Sequence, residues 1–204
     1  VGQTVCGTGG NSVNGPETMN VNGGTLRASW AGSDFTLTEL NTAPNPAWGI
    51  YYSGWDNSGA SVSSAVGIHH PSGDIKKISF ENNALTSSSW SGTAANSHWH
   101  VPGWDLGVTE PGSSGSPLFD QNHRVIGQLH GGASACGGSD LSDEYGKFSV
   151  SWTGNGTSST RLSNWLDPSN TGATAIEGVD PAGPAAALDA AINNPQGVSG
   201  TYCT

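Results

Sequence analysis

The sequence predicts an all-β fold, a barrel or sandwich of short antiparallel strands, and three observations carry that expectation. Glycine is abundant, at 31 of 204 residues, while charged residues make up only 11%. That composition does not supply the Ala, Leu, Glu and Lys from which long helices are built. Alternating apolar and polar runs recur and are broken by Gly, Asn, Asp or Pro, at intervals of roughly eight to twelve residues typical of strands joined by turns. Eight Trp, with four Tyr and four Phe, provide large side chains for a core and set a disordered chain aside.

The alternating runs fall, in order, at residues 25–30, 35–40, 49–52, 62–69, 75–80, 98–101, 124–129 and 147–152. Turns such as Val21-Asn22-Gly23-Gly24 and Asp56-Asn57-Ser58-Gly59 carry residues that tolerate positive φ. Two helices are expected late. One covers residues 159–166 and stops before Asp167-Pro168; the other is the alanine-rich stretch 184–193. No repeat or linker interrupts residues 1–180, which read as one domain, and the change of composition near Pro181 marks 181–204 as a tail.

Charge removes whole classes of function. The formal net charge is −10, with six Lys and Arg against sixteen Asp and Glu, so the basic stripe that nucleic acid requires is missing. No apolar run approaches the length of a membrane span. The chain starts at Val1 with neither an initiator Met nor a signal peptide, and we read that start as processed or truncated. Cys6, Cys136 and Cys203 are an odd number; in an oxidising compartment at least one has no partner within the chain. Reduced cytosolic thiols are the competing reading. The Gly/Ser/Thr/Asn-rich composition and the sequon Asn155-Gly156-Thr157 lean toward export.

The sharpest chemical signal is Gly112-Ser113-Ser114-Gly115-Ser116-Pro117. A serine hydroxyl is a poor nucleophile until a base removes its proton and donors receive the developing oxyanion. Small residues around Ser114 allow a tight turn in which the amides of Gly112 and Ser114 face one substrate oxygen. An ordinary Gly/Ser loop is the alternative. A nucleophile elbow is excluded, because position 116 is Ser where that motif needs Gly. Asp34 heads the run 35–40, where a carboxylate suits the orienting of a histidine, and it precedes Ser114 in the chain. Gln128-Leu129-His130-Gly131-Gly132 ends a strand in an open glycine edge along which a peptide can lie. Asp143, in Ser142-Asp143-Glu144-Tyr145-Gly146, suits a basic side chain if it points beneath that edge. His98 and His100 alternate on one strand but lack a third ligand nearby, so no metal is assigned. No cofactor is called for either.

Together these segments resemble bacterial lysyl endopeptidase, a lysine-specific branch of the trypsin-like serine proteases. The resemblance runs from about Thr25 to Asp180. It rests on Ser33-Asp34-Phe35-Thr36-Leu37, Gly54-Trp55-Asp56, Ile68-His69-His70-Pro71, Val108-Thr109-Glu110-Pro111 leading into the Ser114 motif, and Gly127 to Gly132. Ser142 to Gly146, Ser151-Trp152-Thr153-Gly154 and Trp165-Leu166-Asp167-Pro168 complete it. It implies a trypsin-like double antiparallel β-barrel, of which this chain gives the second barrel, part of the first and a short C-terminal helix. It implies Ser114 as nucleophile, Asp34 as orienting acid, and Gly112 with Ser114 as oxyanion-hole donors. Asp143 becomes the acid of the primary pocket, His130, Gly131 and Gly132 the substrate edge, and Trp90, with one gap in the match, the partner of His130 in a stacked pair. His130 follows the nucleophile and lies on the substrate strand, so it is not read as the general base.

The departure is as informative as the match. The family carries its catalytic histidine in an upstream Thr-Ala-x-His-Cys type segment, and the 204 residues contain none. The resemblance therefore implies a companion chain or segment bearing that histidine, disulfide-linked through Cys6 and Cys136. The function expected is a secreted endopeptidase cleaving polypeptides after Lys, with Arg the other side chain Asp143 accepts. The alternative is a catalytically inert module that keeps the protease fold.

Overall fold

The computed structural model describes residues 18–181, and within them the all-β, antiparallel expectation holds. Strands β1 (Gly24–Trp30) and β2 (Phe35–Leu40) form a hairpin running from Gly24↔Leu40 to Trp30↔Phe35, with a bulge between Leu26 and Ala28. The hairpin is a two-stranded sheet of its own. Asp34 closes its turn with φ +54°, a left-handed conformation that Asp adopts more readily than most residues.

The remaining strands make one larger sheet. They are β3 (Trp55–Asp56), β4 (Ala65–His69), β5 (Lys77–Glu81), β6 (Thr86–Ser88), β7 (His98–Val101), β8 (Pro117–Phe119), β9 (Val125–Gly132), β10 (Asp143–Lys147) and β11 (Ala175–Ile176). The main path is β5-β4-β8-β9-β10-β7-β6, antiparallel throughout. Strand β3 joins β9 in parallel through Trp55↔Val125 and carries β11. Among the described residues the end strands β5 and β6 do not pair with each other.

Alternation along the strands decides which side chains fill the core. On β7, Trp99 and Val101 point inward with Leu118, Leu129 and Tyr145, all nearly inaccessible. His98 points to the opposite face, yet it is also buried, because the hairpin turn covers that face. A second apolar cluster docks the hairpin: Ala28 and Phe35 pack with Trp55, Phe148 and Leu162, and Trp55 stacks on Phe148 at 5.7 Å.

Two expected elements change. Residues 147–152 read as a strand, but β10 ends at Lys147 and α1 (Phe148–Thr153) follows. Phe148 and Trp152 are four apart and both face Trp55, and Ser151 Oγ donates back to the Lys147 carbonyl at 2.9 Å. Helical spacing buries more there than alternation would. The run 49–52 keeps one bridge, Tyr52↔Val179. The helix expected at 159–166 is the shorter α2 (Ser163–Leu166). The helix expected at 184–193 lies outside the described residues, as do Cys6 and Cys203. Cys136 sits in the β9–β10 loop, its N–H donating to Glu110 Oε1 at 3.3 Å. Among the described residues no helix is long and apolar enough to cross a membrane.

The hairpin turn meets the large sheet at Gly146. Gln128 Nε2 donates to the carbonyls of Ser33 at 2.8 Å and Asp34 at 3.4 Å, and the hydroxyls of Ser33 and Ser151 lie 2.9 Å apart. A Cβ on Gly146 would collide with the Ser33 carbonyl and with Gln128 Nε2. Gly146→Ala is therefore expected to destabilise the fold by about 1–3 kcal/mol. Amide exchange should rise first around Ser33 and Phe35, as measured by hydrogen exchange beside the melting temperature.

Candidate functional site

Ser114 lies on a loop held at almost every residue. The amide of Ser113 donates to the Glu110 carbonyl at 3.0 Å, that of Gly115 to Leu129 at 2.8 Å, and that of Ser116 to Ser113 at 3.1 Å. Those of Gly112 and Ser114 have no acceptor among the described residues. Gly112 at φ +99° and Gly115 at φ +81° supply the positive dihedrals the turn needs. Beneath the loop, buried His69 bridges two hydroxyls, with Nδ1 3.0 Å from Ser113 Oγ and Nε2 2.9 Å from Ser79 Oγ. Burial, with His70 and Lys77 adding to it, lowers His69 to about 4, so the brace is neutral. Ser114 itself is exposed and makes no hydrogen bond among the described residues. All six histidines fall within the described residues, and none is bonded to its hydroxyl.

On the neighbouring strand, β8 pairs with β9 only between Val125 and Gln128, and the Ser114 loop takes both main-chain groups of Leu129. From His130 to Gly132 that side of β9 has no strand beside it among the described residues. The opposite side pairs with β10, Gly131 facing Glu144 and Gly132 facing Asp143. The glycine edge read from the sequence is thus open on the side toward Ser114's loop.

Asp143 lies under that edge and is 1% exposed. Its Oδ2 accepts from Trp104 Nε1 at 2.6 Å and from Thr109 Oγ1 at 2.7 Å. Its Oδ1 has no donor among the described residues, and a Cβ on Gly132 would collide with it. Burial pushes the carboxyl up to about 6, against the pull of the Thr109 and Trp104 hydrogen bonds. A buried carboxylate with one oxygen unsatisfied is a receptor for a cation.

Asp34 is exposed, with Oδ2 3.7 Å from His130 Nδ1. The His130 ring stacks on Trp90 at 4.5 Å and 26°. The same nitrogen lies 3.0 Å from His98 Nε2. A Cβ on Gly131 would touch Trp90 at 3.4 Å, so the small residue lets the indole lie against the strand. The Trp90 loop is tied to the hairpin turn by Ala94 N–H donating to the Gly32 carbonyl at 2.9 Å. The sequence-derived residues thus form two neighbouring groups, the Ser114 loop with the glycine edge and Asp143, and the Asp34–His130–Trp90 group.

Sequence reasoning missed the supports. From sequence, His98 carries only a metal-ligand reading beside His100. Here His98 turns to His130, while His100 Nδ1 meets Glu144 Oε1 at 2.7 Å. Among the described residues no set of three or more His, Cys, Asp or Glu is placed to hold a metal. The signal available was a polar residue alternating with Trp99 and Val101 on a strand with both faces covered. Thr109 and Trp104 left no comparable trace, since their role depends on where Asp143 lies.

Asp143 makes stability depend on pH in an unusual direction. Its carboxyl titrates near 6 when folded against an ordinary 3.8. Between those values the folded chain holds a proton that the unfolded chain has lost, so stability falls as pH rises. The group's contribution is present below about pH 4 and is lost through pH 6, on the order of 3 kcal/mol in all. Urea unfolding of wild type and Asp143→Asn at pH 4 and 7.5 should show the wild type losing that amount relative to the variant on going to the higher pH.

Comparisons with known proteins identify the family. The family model for the lysyl endopeptidase C-terminal domain matches residues 1–146. A lysyl endopeptidase of Pseudomonas aeruginosa is 34% identical over 153 residues, covering 72% of this chain and 32% of that protein. The chain therefore spans about a third of the length of this relative. On the strength of the family match, this chain belongs to the lysyl endopeptidase family.

Proposed function

We propose that the chain carries the nucleophile and the specificity pocket of a secreted serine endopeptidase that cleaves polypeptides after Lys, or Arg. The observation that carries this reading is the loop at 110–116. It spends the amides of Ser113, Gly115 and Ser116 on the fold and leaves those of Gly112 and Ser114 without an acceptor among the described residues, next to an exposed serine hydroxyl. Two donors kept unpaired on a braced loop suit an oxyanion that exists only during reaction.

In this reading the substrate lies along His130, Gly131 and Gly132, and its basic side chain reaches Asp143 Oδ1 beneath Gly132. An incoming ammonium favours the carboxylate and so lowers the Asp143 pKa on binding. A histidine from an upstream segment takes the Ser114 Oγ proton as Oγ attacks the scissile carbonyl. The oxyanion is received by the amides of Gly112 and Ser114, and the histidine then protonates the leaving amine. Water, deprotonated by the same histidine, hydrolyses the acyl-enzyme. Asp34 orients that histidine, with the stacked Trp90 and His130 beside it.

Two observations support an upstream partner. Leu26 and Leu40 of the hairpin are 62% and 48% exposed, apolar surface of the kind that further strands of a first barrel would cover. Three cysteines also leave at least one for a bridge outside the chain. The second reading, an inert binding module, has one observation on its side: no imidazole in the chain bonds to Ser114.

Hydrolysis of a lysyl ester, abolished by Ser114→Ala, together with fluorophosphonate labelling at Ser114, is the expected result. Asp143→Asn should lower kcat/KM for lysyl substrates on the order of 100-fold, and the wild-type value should fall below about pH 6 as the free carboxyl protonates. Intact mass with and without reductant should release a histidine-bearing partner. An unchanged mass, no turnover and no labelling would leave the inert module.

A further inference from the structure

Behind the stacked Trp90–His130 pair runs a line of hydrogen bonds whose proton directions follow from counting hydrogens. The Trp90 carbonyl can only accept, and Thr93 Oγ1, 2.7 Å away, has a single hydrogen to give it. Thr93 Oγ1 then accepts, from Trp90 N–H at 3.0 Å and from Ser97 Oγ at 3.1 Å. That uses the hydrogen of Ser97, so at 2.7 Å from His98 Nδ1 its oxygen is the acceptor and Nδ1 is protonated. His98 is wholly buried, and burial, with His130 and Lys147 adding to it, lowers its pKa to about 4. A neutral ring protonated on Nδ1 leaves Nε2 bare, and bare Nε2 lies 3.0 Å from His130 Nδ1.

We infer that His98 is a positioning residue, which accepts the Nδ1–H of His130 and thereby holds that ring in its Nδ1-protonated form beside Asp34. His130 Nδ1 is 3.7 Å from Asp34 Oδ2, so the acid faces an N–H dipole instead of a lone pair. Running the line in reverse would have Ser97 donate to His98 and Thr93 donate to Ser97. The Thr93 hydroxyl would then lose its bond to Trp90, and His130 would turn a lone pair toward a carboxylate. One line of four side chains therefore anchors both members of the stack, Trp90 through its main chain and His130 through its ring.

The tautomer stands independently of catalysis. Its consequence for turnover rests on the reading of Asp34 as the orienting acid. The test is long-range 15N–1H correlation of the imidazoles in the full chain at pH 7. The expected spectrum has His130 and His98 both protonated at Nδ1 and bare at Nε2. His98→Phe should return His130 to the Nε2–H form that free histidine prefers, while His98→Gln, whose amide can accept from His130, should retain the Nδ1–H form. A wild-type His130 with bare Nδ1 overturns the inference, and that spectrum decides it even if His98→Phe fails to fold. In the active preparation, His98→Phe should lower kcat about tenfold or more with KM little changed, and His98→Gln should restore it. Unchanged kcat in a variant whose His130 tautomer has flipped overturns the positioning role and leaves the tautomer assignment standing. Absence of all turnover, wild type included, bears on the proposed protease activity alone.

Discussion

The site depends on a backbone contact at a residue with no side chain. The carbonyl of Ser33 occupies the space above Gly146 where a Cβ would stand, and Gln128 clamps the same carbonyl at 2.8 Å. From that contact follow the position of Asp34, the burial of His98 under the turn, and the tie from Ala94 to Gly32 that carries Trp90. The hairpin adds only two strands, and the cluster of Ala28 and Phe35 with Trp55, Phe148 and Leu162 supplies the apolar area that keeps it docked. Close packing turns this apolar contact into positional accuracy: the acid at the turn can be no better placed than the carbonyl one residue before it.

Asp143 illustrates the opposite economy, a group kept in a state the fold disfavours. Desolvation opposes its charge, and two donors to Oδ2 recover only part of that penalty. Supplying a third donor from the protein would lower the cost and also close the receptor. Oδ1 is instead left facing the glycine edge, where a Cβ at Gly132 would block it. Under the proposed function, binding of a cation recovers what that oxygen lacks, and a destabilising charge becomes specificity.

The extent to which this was legible in the sequence depended on whether a feature is local. Alternation located the hairpin strands closely, because Thr25 to Trp30 and Phe35 to Leu40 are half-covered strands with one apolar face. It misread 147–152, where Phe148 and Trp152, four residues apart, satisfy both periods and only the position of Trp55 chooses between them. Short strands such as Thr86–Ser88 and Pro117–Phe119 carry too few residues to show a period. At the candidate site, Ser114, Asp34, the glycine edge and Asp143 are read from motifs. Their supports His69, His98, Thr109 and Trp104 act through contacts distant in sequence, such as Thr109 with Asp143 and His98 with His130, and no spacing rule reaches them.

His69 and His98 share a design that bears on the conditions under which such a site works. Each is buried, each has both ring nitrogens occupied, and each has a pKa near 4 against an ordinary 6.5. A histidine kept neutral in this way contributes stability above pH 6.5 that is lost as pH falls toward 4, because the unfolded chain takes up the proton first. Asp143 acts in the opposite sense between about 4 and 6. Two depressed histidines outweigh one raised carboxyl, so acidification weakens the fold on balance. Above pH 6.5 both histidines are neutral whether folded or unfolded, and Asp143 is ionised. The supports are then at full strength in the same range in which Asp143 carries the charge that the proposed function asks of it.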